Sequence, residues 1–177
     1  MTSHPYRDGA DAEMATLAGE VARLLSDHCR AYEDLKVLLK AQTEALRDDD
    51  LKRLQKILRG QDEILAGVVA REGTRCAVEA RIEERTGSPG IDWEYLGREF
   101  AIPRETIEQA VRAEGRLKDL TGEISSINAA NGELVEGALR FIRYSMEAIR
   151  VMALETNTYH DGEDPPEPPS VLLDHRY

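Results

Sequence analysis

Apolar residues recur at steps of three and four along most of this chain, and the breaks in that rhythm mark out its elements. Met14, Leu17, Val21, Leu24, His28, Ala31, Leu35, Leu38, Gln42 and Ala45 form one stripe, which Leu25, Tyr32, Leu39 and Leu46 widen. That spacing places them on one face of a helix, broader than a two-stranded zipper seam. The helix is expected to start near Asp11, after a polar stretch at residues 1–10, and to stop at Asp48-Asp49-Asp50. Aspartate is a weak helix former and a good N-cap, so the same run is suited to start the next helix. The second stripe comprises Leu51, Leu54, Ile57, Leu58, Ile64, Leu65, Val68, Val69, Cys76 and Ile82. It is expected to end at Thr86-Gly87-Ser88-Pro89-Gly90, where glycine and proline stop a helix. A link as short as 48–50 makes the two helices antiparallel neighbours.

Asp92-Trp93-Glu94-Tyr95-Leu96-Gly97-Arg98-Glu99-Phe100 then reads as a short helix capped by Asp92. Trp93, Leu96 and Phe100 fall on one side of it, as in a lid over one end of a bundle. Pro103 suits the first turn of a third long helix. Its apolar positions run Ile107, Val111, Leu117, Leu120, Ile124, Ile127, Leu134, Val135, Ala138, Phe141, Ile142, Ile149 and Met152. Gly115, Gly122, Gly132 and Gly137 weaken that helix and are expected to mark bends or close helix approach. Asp161-Gly162-Glu163-Asp164-Pro165-Pro166-Glu167-Pro168-Pro169 reads as an extended acidic linker. It leads to an apolar patch, Val171-Leu172-Leu173, near the C-terminus. The expected fold is all-α, an antiparallel and coiled-coil-like bundle of three long helices with a short extra helix. Its domain would be residues 1–162, and 163–177 a Pro-rich acidic tail.

Composition narrows the function. Aromatics make up 5% of the 177 residues, so the core must be aliphatic. A net charge of −11 opposes binding to nucleic acid or to an anionic membrane surface. No apolar run approaches the ~18 residues of a membrane span, and Met1 to Asp8 carries no secretory h-region. A cytoplasmic protein with Cys29 and Cys76 reduced is the expectation. Catalytic chemistry does not converge: His4, His28, His160 and His175 are scattered, and no metal-ligand spacing or phosphate loop is present. His28 and Cys29 adjoin, but neighbouring helical residues point about 100° apart and pair badly. No enzyme activity, cofactor or metal is expected.

Asn128 and Asn131 lie three apart within Asn128-Ala-Ala-Asn131-Gly132, on one face of the third helix. Asparagine is costly in a dry seam. It either fixes register, which is its default role, or is offered to a partner. Beyond residue 133 the apolar side broadens through Leu134, Val135, Leu139, Phe141, Ile142, Met146, Ile149 and Met152. The third helix is expected to outrun the first hairpin by about fifteen residues, or ~20 Å. A soluble monomer rarely leaves such a patch bare. A second copy, the 170–177 tail or a client helix would cover it.

Several segments together resemble the FlgN family of flagellar type III export chaperones. They are Glu44-Ala45-Leu46-Arg47, Asp50-Leu51-Lys52-Arg53-Leu54 and Ile64-Leu65. Ile127-Asn128-Ala129-Ala130-Asn131-Gly132-Glu133-Leu134 and Thr158-Tyr159-His160-Asp161-Gly162 complete the set, and the resemblance covers residues 14–162. It implies an all-helical antiparallel fold. It also implies binding of the C-terminal amphipathic helices of hook–filament junction proteins, FlgK and FlgL, and their delivery to export-gate components. Carried onto this chain, it places client binding at Asn131, Leu134, Val135, Leu139, Ile142, Met146 and Ile149. The protein would be a monomer or weak homodimer. The competing expectation is a coiled-coil homodimeric scaffold in which the overhanging helices pair and the asparagines set register. Physics alone adds one more expectation, that Val171-Leu172-Leu173 folds back and shields the groove in the free protein.

Overall fold

The computed structural model describes the backbone of residues 5–157 and the side chains of 9–151. The call on the 163–177 tail therefore lies outside the described residues. Four helices follow in order: α1 (Pro5–Arg47), α2 (Leu51–Thr86), α3 (Trp93–Glu99) and α4 (Arg104–Asn157). The all-α bundle expected from the apolar rhythm is the observed fold. The chain divides into two compact units, Met1–Val135 and Glu136–Tyr177.

In the first unit, α1 and α2 form a hairpin whose turn is the aspartate run. Asp49 takes a left-handed φ of 53°, a conformation its short polar side chain tolerates. Asp50 caps α2, its side chain accepting from the Arg53 N–H at 2.9 Å. Near the turn, Gln61 Nε2 donates to Gln42 Oε1 at 2.9 Å. At the far end Arg81 and Arg85 both reach Glu13, so the two helices are antiparallel. α4 runs parallel to α1 instead. Gln109 meets Ser26, Cys29 meets the Ala113 carbonyl, and Asn131 meets the Leu39 carbonyl, in ascending order on both helices.

The apolar core sits where α1 begins, α2 ends and α4 begins. Met14, Leu17, Val21, Val78, Ile82, Leu96, Ile102 and Ala110 are buried there. Gly87, left-handed at φ 70°, ends α2 by donating its N–H to the Glu83 carbonyl. The chain then turns into α3, whose cap is Asp92 accepting from the Tyr95 N–H. Trp93 and Leu96 point into the core, and α3 is the lid that the sequence predicts. Phe100 is only partly buried and meets Tyr95 edge to face at 6.2 Å. α3 can lie against α4 because position 97 is glycine: a Cβ there would come within 2.4 Å of Ile107 Cδ1.

Three expectations change. α1 starts at Pro5 rather than near Asp11, since proline suits a first helical turn and the polar residues after it do not break it. α4 is one helix through Gly115, Gly122, Gly132 and Gly137. A Cβ at any of the four would meet nothing within 4 Å, so these glycines mark neither a break nor a close approach. On α2, Ile57, Gln61, Val78 and Ile82 are buried, while Leu51, Leu58, Leu65, Val69 and Cys76 are exposed. The line that α2 buries is narrower than its apolar stripe.

Candidate functional site

The two asparagines part company. One position steps about 100° round a helix, so three positions leave Asn128 and Asn131 about 60° apart. That is enough to send only Asn131 into the contact with α1. It is buried to 3% exposure, its Nδ2 donating to the Leu39 carbonyl at 3.1 Å. Its Oδ1 accepts from the Thr43 hydroxyl at 2.6 Å. Both polar atoms of the amide are thus used inside the bundle, where they fix the register of α4 on α1. Asn131 is set apart from the other predicted contact residues for that reason. Asn128 is exposed, at the edge of a cleft with Leu35, Leu39, Gln61, Leu65 and Ile124. Asn131→Ala is expected to lower unfolding free energy by about 1–3 kcal/mol, because it strips partners from buried polar groups. Asn128→Ala should stay within about 0.5 kcal/mol. Urea unfolding of the two variants measures both, and equal losses would remove the register role.

Leu134 and Val135 are the last turn of the first unit, half-buried and exposed respectively. In the second unit α4 continues to Asn157, and none of its described side chains, 136–151, is buried. Leu139 is 48% exposed and Met146 64%; Phe141, Ile142, Ile149 and Val151 are exposed with them. At about 100° per residue, Ala138, Leu139, Phe141, Ile142, Met146, Ala148 and Ile149 cover roughly half the helix circumference. Arg143 and Arg150 border that arc on the Leu139 and Met146 side, and Glu136, Arg140 and Glu147 occupy the back. Four of the seven predicted residues, Leu139, Ile142, Met146 and Ile149, share this exposed arc. Phe141, absent from the predicted set, belongs to it by the same period.

A second cleft, of about 460 Å³, lies within the first unit among Leu25, His28, Tyr32, Val68, Glu72, Arg75, Glu114, Leu117 and Thr121. His28 is buried, its Nδ1 3.8 Å from a Glu72 carboxylate oxygen. Cys29 turns away from it to the Ala113 carbonyl, 3.3 Å distant. Burial, reinforced by the charge of Glu33, pushes the Cys29 thiol above its usual range, which disfavours the nucleophilic thiolate. His28 and Cys29 therefore do not form a catalytic pair.

Beside this cleft Arg75 binds Glu72 through two nitrogens and Glu79 through a third. The hydrogen bonds from Arg75 hold the Glu72 carboxyl below its ordinary value. Burial raises that of Glu79 against the pull of Arg75. The Glu72 contribution is fully present above the unfolded carboxylate pKa and is lost as pH falls through the depressed folded value. Glu79 acts oppositely: its proton stabilises below the unfolded value, and that benefit is lost as pH rises through the raised one. Arg75→Ala removes what holds both carboxylates charged. It is expected to cost about 1–2 kcal/mol at pH 7 and progressively less through the carboxylate range. Melting curves from pH 7 to pH 3 read this directly, and a pH-independent loss would contradict it.

A family model described as FlgN protein matches residues 14–165, from the first core methionine of α1 to beyond the end of α4. The chain belongs to the FlgN family. It therefore belongs to a family of flagellar export chaperones that bind protein clients, and not to a family of enzymes. The FlgN match includes α3 and its flanking loops, which none of the short segments noted in the sequence covers. No curated protein and no solved structure matches this FlgN chain. Among its described residues no helix is long and apolar enough to cross a membrane.

Proposed function

We propose that this FlgN-family chaperone holds the C-terminal amphipathic helix of a hook–filament junction protein in the cytoplasm before export. The client helix lies along α4 on Leu134, Val135, Leu139, Ile142, Met146 and Ile149, with Phe141 beside them. The observation that carries this reading is the half-helix of exposed aliphatic and methionine side chains in the second unit. A helix-in-groove partner needs such a stripe, read at i, i+3, i+4 and i+7. Methionine adapts to clients of different shape. A net charge of −11 favours clients or export-gate components with basic patches. A chaperone must also release its cargo, which suits a single-helix contact of modest size and fast dissociation.

The test is gel filtration of the purified chain mixed with a junction protein, intact or lacking its terminal helix. Co-elution with the intact protein alone is the expected result. A complex that survives removal of the helix would overturn the proposal. Light scattering of the free chain addresses the scaffold alternative, since a homodimer built on the same face would double the mass.

A further inference from the structure

We infer that the chain's own end, Val171-Leu172-Leu173, covers the α4 face between Leu139 and Ile149 when no client is bound. The inference rests on reading that face as a docking surface, and not on the identity of its client. Three observations support it.

The first is the face itself. About half the circumference of α4 from Ala138 to Ile149 is apolar and exposed, and contiguous bare patches of that kind are uncommon in free soluble proteins.

The second is reach. Met146 lies about 16 Å back from Asn157 along the helix at ~1.5 Å per residue. Residues 158–170, extended at ~3.1 Å each, reach roughly 40 Å. That length allows a reversal near Gly162 and a return past Met146 to Ile142. Pro165-Pro166 and Pro168-Pro169 oppose a helix that would carry the end away from the face instead.

The third is charge. Asp161, Glu163, Asp164 and Glu167 precede the apolar triplet. Arg143 and Arg150 line one edge of the arc they would pass. Arg150 pairs only at 4.0 Å with Glu147, and Arg143 makes no ion pair among the described residues. An acidic strand running antiparallel to α4 on that edge places carboxylates beside both guanidinium groups while Leu172 and Leu173 meet Ile142 and Met146.

Three side chains give a weak contact. Tethering makes it sufficient, because a flexible linker of this length supplies an effective concentration on the order of millimolar. A cover held so loosely yields to a client helix, which buries the whole arc.

The experiment is hydrogen exchange of residues 136–151 in three proteins at low concentration: the full chain, a deletion of 163–177, and the full-length Leu172→Asp/Leu173→Asp variant. Exchange several-fold faster in both altered proteins is expected, with the rest of α4 unchanged. Equal exchange in all three overturns the inference. Protection that disappears on dilution and ignores the tail also overturns it, by assigning the cover to a second copy. No client enters this measurement, so a failed gel-filtration complex leaves it readable. With a synthetic junction-protein terminal helix as probe, the deletion should tighten binding about ten-fold if the cover is closed nine-tenths of the time. Unchanged or weaker probe binding would overturn shielding.

Discussion

Aspartate at Ile142 and Ile149 together abolishes capture of a client helix and leaves the melting temperature of the free protein in place. Both side chains are exposed, at 52% and 63%, and neither belongs to the buried core. Exposed substitutions of this kind change stability by about 0.5 kcal/mol or less. In the complex the same positions meet the apolar face of the partner. There an unpaired carboxylate costs several kcal/mol, which is a loss on the order of a hundred-fold or more in Kd. Val37→Asp supplies the comparison, since Val37 is as exposed as Ile149 but lies on α1, and it should leave binding unchanged. Titration calorimetry with the client helix and a thermal melt of each variant test the pair of claims. Retained binding would move the client away from α4, and a fall in melting temperature matching the loss of binding would make the effect one of folding.

The largest effect on the fold itself is expected from Trp93→Ala, at about 3–5 kcal/mol. Its indole is 6% exposed among Leu96, Ile102 and the α1–α2 core, and its Nε1 donates to Glu114 at 2.9 Å. No other aromatic is fully buried in that cluster, so truncation leaves a hole that aliphatic neighbours on three helices cannot close. Trp93→Phe keeps most of the ring volume and loses the hydrogen bond, for about 1 kcal/mol. Urea unfolding followed by helix circular dichroism separates the two, and an alanine variant within 1 kcal/mol of the parent would show that the lid is not part of the cooperative core.

The ends of the helices were legible because single residues determine them: Asp50 and Asp92 as caps, Gly87 as a left-handed stop. The family was legible from the order of several short segments, none informative alone. The two asparagines were harder. Period and spacing place them on one face, but a contact between two helices is narrower than a face, and the 60° between them decides which is buried. The exposed leucines of α2 have the same cause, since periodicity reports which side of a helix is apolar and not how much of that side a neighbour covers. The glycines of α4 misled for another reason. Propensity is a cost spread along the chain, and a helix of 54 residues absorbs four such costs without breaking.

The placement of the polar pins has a kinetic consequence. Gln42–Gln61 and Thr43–Asn131–Leu39 both sit at the hairpin-turn end of the first unit, whereas the largest apolar cluster lies at the opposite end. Gln42 and Gln61 are close in sequence, so the chain closes only a small loop to join them, and such contacts form early. The hairpin can therefore choose its alignment beside the Asp48–Asp50 turn before Met14 and Ile82, far apart in sequence, ever meet. Misaligned pairings, to which a repetitive aliphatic stripe is prone, are then sorted while they are still short and cheap to undo.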